Sequence, residues 1–280
     1  MAEQARNPLI DARGVVVAYE GARGAFCRRA PAKPVLHGID IVIGRGETVG
    51  VVGESGSGKT TLGRALLGLI KPSDGSIRFD GDEITILSES AMRPLRRRMQ
   101  MIFQDPMSSL NPRRTIRHIM VEPLLLHGLA ANRVEAEQRV RSVLDRVGLP
   151  AVVLDRYPHE ISGGQRQRVG IARAVVLAPD FVLADEIVSG LDVSTQAQVL
   201  QLLGELKREM DLSMAFISHD LSVVRAVCDR VYVLSAGRVV EEGACETVFA
   251  APQDDYTRTL IDAIPLPVID PDWLARRQPQ

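Results

Sequence analysis

Gly53-Glu54-Ser55-Gly56-Ser57-Gly58-Lys59-Thr60 is the stretch that decides the fold. It fits Gly-x4-Gly-Lys-Thr without a mismatch, the pattern of a loop that wraps phosphate groups. The run before it, Thr48-Val49-Gly50-Val51-Val52, is apolar and β-branched and reads as a buried strand. Thr61 to Leu69 after it has helical spacing, with Leu62, Ala65, Leu66 and Leu69 on one side. Glycines let backbone N–H groups converge on phosphate oxygens, and the start of the helix adds a favourable dipole. Lys59 is placed to neutralise charge on β- and γ-phosphates, and the Thr60 hydroxyl to ligate Mg2+.

Phe181-Val182-Leu183-Ala184-Asp185-Glu186 is an apolar strand that ends in two carboxylates. Asp185, at the strand's C-terminal edge, can reach the Mg2+ shell. Glu186, one residue on, can orient an attacking water or accept its proton. Phosphoryl transfer needs mainly positioning and charge neutralisation, so these groups make a nearly complete set for hydrolysis. By itself an acidic pair after a strand reads equally well as a solvated turn; the phosphate loop favours the chemical reading.

Ile161-Ser162-Gly163-Gly164-Gln165 has two readings. Ser162 followed three residues later by Gln165 is a capping box. Behind it Val169, Ile171, Ala172, Ala174, Val175 and Leu177 form a largely buried helix that ends at Pro179. A capped helix is locally sufficient, yet two glycines in a first turn weaken a helix. They leave backbone N–H groups bare for an anion.

At this point the chain resembles the ATP-binding cassette (ABC) family, whose signature is Leu-Ser-Gly-Gly-Gln; Ile161 takes the first position here. The resemblance runs from about residue 9 to 264. It implies an α/β fold: a P-loop NTPase ABC cassette with a RecA-like core, an N-terminal antiparallel β subdomain and a helical subdomain carrying the signature. Gln104, in Met101-Ile102-Phe103-Gln104-Asp105-Pro106, matches the family glutamine that touches Mg2+ and the attacking water. Ser189-Gly190-Leu191-Asp192 matches the D-loop. His219, in Ile217-Ser218-His219-Asp220, matches the switch histidine at the γ-phosphate. Family members stack adenine on an aromatic residue, for which Tyr19 is the first candidate and Phe26 the second. The implied catalytic groups are Glu186, His219 and Gln104, and the implied Mg2+ ligands Thr60, Gln104 and Asp185. The implied ATP contacts are Tyr19, Gly53, Glu54, Ser55, Gly56, Ser57, Gly58, Lys59, Thr60, Thr61 and Asp192, with Ser162, Gly163, Gly164 and Gln165. Two positions depart from the family pattern: Ile187 stands where proline is usual and Gly190 where alanine is usual, which predicts a looser turn after Glu186.

The resemblance also implies partners. Each signature faces the phosphate loop of a second ABC ATPase subunit, identical or homologous, and two ATPs are buried between them. Such a pair drives two transmembrane permease subunits and serves a substrate-binding protein indirectly, from the cytoplasmic face of the membrane. Gln104 to Arg113, Arg156-Tyr157-Pro158-His159-Glu160, Asp192 to Val199 and Asp255-Tyr256-Thr257-Arg258-Thr259-Leu260 are similar to the oligopeptide and dipeptide (and nickel) importer ATPases. An exporter ATPase, or an importer of sugar oligomers, opines or nickel, is the alternative. DNA-repair ABC proteins need coiled-coil arms for which there is no room, and translation-factor relatives carry two cassettes.

Composition fits these expectations. Lys and Arg number 34 against 35 Asp and Glu, a net charge of −1 that gives no general support for nucleic-acid binding. No uninterrupted apolar run approaches the ~20 residues that span a bilayer. Glu3, Arg6 and Asp11 break up the start, which is unlike a signal peptide. Cys27, Cys228 and Cys245 lack metal-ligand spacing. Residues 1–8 are expected as a tail, 9–264 as the ATPase domain and 265–280 as a proline-rich tail. The helical subdomain is expected over about 105–178. The Gly-, Ala-, Pro- and Arg-rich stretch at about 20–34 is expected as an inserted exposed loop.

Overall fold

The computed structural model describes residues 8–19 and 33–263. Phe26, most of the expected inserted loop and the tail from 264 lie outside the described residues, as do residues 1–7.

Two sheets organise the chain. The first is antiparallel, built from β1 (Ile10–Tyr19), β2 (Lys33–Ile43), β4 (Asp74–Phe79) and β5 (Asp82–Glu83) in the order β2-β1-β4-β5. The second contains β3 (Thr48–Val52), β6 (Met99–Ile102), β7 (Phe181–Asp185), β8 (Ser213–Ile217), β9 (Arg230–Ser235) and β10 (Arg238–Ala244) in the order β10-β9-β3-β8-β7-β6. All of its pairings are parallel except β10 with β9. Every residue of β3, β7 and β8 is buried, as expected for a parallel sheet covered on both faces. The period of two divides each strand between two cores. Phe181 and Leu183 pack with the antiparallel sheet and α1 (Lys59–Leu66), whereas Val182 and Ala184 pack with the helical layer.

That layer lies between β6 and β7 in the chain. It comprises α3 (Pro106–Ser109), α4 (Ile116–Leu126), α5 (Arg133–Arg146) and α6 (Gly163–Val175), after α2 (Glu89–Arg96) has led into β6. Since β6 and β7 are parallel neighbours, the helices form one enlarged crossover between them. Thr115 and Asn132 cap α4 and α5 by accepting the backbone N–H of His118 and Glu135. Beyond β7 the alternation continues through α7 (Val193–Met210) and α8 (Leu221–Val227). The short helices α9 (Cys245–Ala250) and α10 (Asp255–Asp262), which the sequence reading did not mark, follow β10.

Two local expectations need correction. The helix after the phosphate loop stops at Leu66, and Leu69 is 51% exposed. Gly68 adopts φ +63°, and the N–H groups of Gly68 and Leu69 turn back to the carbonyls of Ala65 and Arg64. A glycine in the left-handed region therefore ends the helix one turn early. Lys33 and Pro34, placed in the inserted loop from composition, lie in β2 opposite Tyr19 and Ala18. Proline is tolerated there because β2 is an edge strand. Among the described residues no helix is long and apolar enough to cross a membrane.

Candidate functional site

The phosphate loop leaves the C-terminal end of β3 and enters α1. Gly53 (φ +146°) and Gly58 (φ +105°) make the path possible. A Cβ at Gly53 would fall 2.1 Å from the Leu234 carbonyl oxygen, and one at Gly58 2.7 Å from the Leu36 side chain. Inside the loop Lys59 is 5% exposed, and its ammonium donates to the carbonyls of Gly53 (2.7 Å) and Glu54 (2.8 Å). Burial pushes the Lys59 pKa below its ordinary value, against the opposing pull of Glu186 and Asp185. Val35, Ser55, Gly56, Gly58, Lys59, Thr60, Thr61 and Glu186 line an open pocket of about 200 Å³.

The other reacting groups arrive from neighbouring strand ends. Gln104 follows β6, Glu186 follows β7 and His219 follows β8, so three adjacent parallel strands deliver one group each. Crevices at the carboxyl ends of such strands are where open α/β sheets bind ligands. Gln104 Nε2 donates to Glu186 Oε2 at 3.1 Å, and His219 Nδ1 lies 3.7 Å from the same oxygen. The Thr60 hydroxyl donates to Asp185 Oδ1 at 3.2 Å. Asp185 is 6% exposed; burial raises its pKa, the Thr60 hydrogen bond opposes this, and the nearby charge of Glu186 adds to it.

The turn after Glu186, where Ile187 and Gly190 depart from the family pattern, is met by specific hydrogen bonds. Glu186 has φ +49°, a strained value for a residue with a side chain. Its N–H donates to the Ile217 carbonyl and its carbonyl accepts from the Ser189 N–H. Ile187 is 1% exposed, and its carbonyl accepts from the buried Gln167 side chain at 2.9 Å. Gly190 uses its freedom at φ +76°. Asp192 caps α7, accepting from the Thr195 N–H and from the hydroxyls of Ser194 and Thr195. The Ser194 hydroxyl foremost, then Thr195, hold its carboxyl far below the usual range. Asp192 does not line the pocket of its own chain.

Tyr19 ends β1 beside the loop, with its hydroxyl 3.3 Å from Thr61 Oγ1. Ser162 caps α6 in a reciprocal box: Gln165 N–H donates to Ser162 Oγ (3.2 Å) and Ser162 N–H to Gln165 Oε1 (3.0 Å). Ile161 is buried in the helical core. A Cβ at Gly164 would meet nothing within 4 Å, and one at Gly163 only the far end of Arg166 at 3.9 Å. Their own chain therefore gives no packing reason for glycine at these positions. None of residues 162–165 lines the pocket of the same chain.

Three residues escaped the sequence reading. Val35 lines the pocket from β2. Gln167 had a signal, a polar residue among the buried positions of α6. Tyr256 stood out only as part of a family-like stretch; its hydroxyl accepts from the Glu54 N–H at 3.0 Å, and the 202 positions between them hide that pairing from the sequence.

A strand-to-helix phosphate loop facing two carboxylates at the end of a parallel strand of the same sheet defines a P-loop nucleotide hydrolase. The family described as ABC transporter matches residues 36–189. A putative peptide import ATP-binding protein of Brucella ovis is 51% identical over 272 residues, covering 97% of this chain and 83% of that protein. The oligopeptide transport ATP-binding protein OppF of Escherichia coli K12 is 45% identical over 271 residues, covering 96% and 80%. A solved dimeric ATP-binding cassette in a post-hydrolysis state, bound to ADP and Pi, superposes with TM-score 0.75 at 28% identity, covering 84% of this chain and 98% of that one. The chain belongs to the ATP-binding proteins of the ABC transporter family and is an ATPase.

Proposed function

We propose that this ATPase powers a membrane importer of peptides, working as one half of a head-to-tail dimer on the cytoplasmic face of the membrane. The convergence of Gln104 and His219 on one oxygen of Glu186, at the mouth of the phosphate-loop pocket, carries the reading. Lys59 neutralises the β- and γ-phosphates. Glu186 takes the proton of the attacking water, Gln104 orients that water, and His219 meets the γ-phosphate. Thr60, Asp185 and Gln104 offer the oxygen donors that suit Mg2+, and the ion supplies charge neutralisation across the phosphates. Tyr19 supports the adenine.

The signature serves the partner's nucleotide. Ser162, Gly163 and Gly164 present an open helix start, and Gln165 fixes its geometry by capping. Because the γ-phosphate would bond to both halves, ATP favours the closed pair and hydrolysis the open one. The similarity to peptide-import subunits supports peptide as cargo. An open apolar groove of about 390 Å³ between the sheet edge and the helical layer, lined among others by Leu69, Met101, Phe103 and Leu126, suits a permease segment. The ATPase domain is taken as 9–264, with the helical subdomain at about 105–178.

The test is ATP turnover by the complex assembled with its permeases and binding protein. Glu186→Gln should bind ATP normally and turn over less than a hundredth as fast, and peptide should stimulate the wild type. Equal hydrolysis by both forms would remove Glu186 as base, and stimulation by another solute alone would replace peptide as cargo.

A further inference from the structure

The geometry points to Tyr256, on the C-terminal helix α10, as a positioning residue for the phosphate loop. This rests on the nucleotide-site reading above and adds an element to it from the far end of the fold.

One peptide plane carries the argument. The Gly53–Glu54 amide is planar, with its C=O and N–H pointing in opposite directions. Its carbonyl, that of Gly53, accepts from Lys59 Nζ at 2.7 Å. Its N–H, that of Glu54, donates to the Tyr256 hydroxyl at 3.0 Å. The plane is thus gripped at both ends, by the lysine that faces the phosphates and by a phenol from α10. Rotation of the plane would carry away the carbonyl that seats the Lys59 ammonium. By holding the N–H, Tyr256 fixes where Lys59 starts from when phosphate arrives.

The helix that presents Tyr256 is itself well anchored. Asp254 caps it by accepting from the Tyr256 N–H at 2.9 Å. Glu241 of β10 accepts from the N–H groups of Gln253 (2.8 Å) and Asp254 (3.1 Å), pinning the chain just before the helix. On its inner side Leu260 and Ile261 pack against the core cluster that holds Val52, the last residue of β3, with Val231 and Val233, and line a small cavity beside them. So α10 lies behind the strand that launches the phosphate loop, and Tyr256 reaches past the strand's end to the loop.

Tyr256→Phe keeps the ring and its packing and deletes only the acceptor. Binding of a fluorescent ATP analogue to the full-length protein should weaken about two- to tenfold, the range of one neutral hydrogen bond. In the assembled complex KM for ATP should rise by the same factor, with kcat and the melting temperature at wild-type values. Unchanged affinity and KM would overturn the proposal, leaving Tyr256 a packing residue. A lowered melting temperature with kcat falling in step would overturn it too, as a structural role. Failure of the wild type to bind the analogue would instead strike the nucleotide-site reading, so the two failures are distinguishable.

Discussion

The side-chain amide of Gln167 donates a 2.9 Å hydrogen bond to the backbone carbonyl of Ile187, inside the protein, where both residues are almost fully buried. It ties α6 to the residue after Glu186. Glu186 sits at a strained φ of +49°, and strain of that kind persists only where surrounding contacts over-determine it. Gln167 is one such contact, made at the position where Ile187 stands in place of the family's usual proline.

Gln167→Met should therefore cost stability and rate together. The Ile187 carbonyl would be left buried without its donor, a loss of about 1–3 kcal/mol. The melting temperature should fall, and kcat should drop more than ATP affinity, because the Glu186 turn relaxes while the phosphate loop is untouched. Calorimetry and steady-state kinetics on the complex measure both; an unchanged kcat would show that the turn holds without Gln167.

Gly164→Ala should separate folding from function. The new methyl has open space around it, and alanine replaces glycine in a helix with a gain of up to about 1 kcal/mol. Denaturant unfolding of the variant should show equal or higher stability. ATP turnover by the complex should nonetheless fall more than tenfold, since in the proposed head-to-tail dimer the methyl would stand where the partner's phosphate approaches. Full turnover would mean that the signature glycines are not a phosphate contact.

Leu126→Lys probes the groove at the sheet edge. Leu126 is 62% exposed beside Leu69, so the charge costs the subunit little. Nucleotide binding by the isolated subunit should match wild type, whereas co-purification with the permeases should be lost. Retention of the complex would move the docking surface elsewhere.

Glu241 gives α10 a pH dependence. Burial alone would raise its pKa, but the N–H groups of Gln253 and Asp254 and the charge of Arg258 outweigh it and set the carboxyl below its ordinary 4.5. A group with a lowered folded value stabilises fully above its unfolded value and loses that contribution as pH falls through the folded one. Glu241→Gln should thus be less stable than wild type near neutrality, and the difference should close as pH is taken below 4.5. Melting temperatures of the two proteins across that window check it; a constant difference would show that the hydrogen bonds do not depend on ionisation.

The sequence announced most where the chemistry is written in consecutive residues. Gly53 to Thr60 and the strand ending in Asp185 and Glu186 were legible because spacing alone sets how backbone N–H groups and carboxylates are presented. Ser162 and Gln165 were legible as a box for the same reason. The reading failed at Leu69, where apolar spacing outran a glycine stop at Gly68. A left-handed glycine decided the outcome there.

What the sequence by itself determined is the phosphate loop, its acidic strand, the capped glycine pair and the alternation that makes an α/β sheet. These follow from local backbone geometry and periodic burial, which neighbours along the chain settle among themselves. Only the tertiary structure decided that Gln104, Glu186 and His219 share one corner, that Gln167 braces Ile187 and that Tyr256 holds the loop at Glu54. Those contacts depend on the strand order β9-β3-β8-β7-β6 and on helices packing over it. Strand order arises from non-local burial of whole faces, and no spacing within a motif carries it.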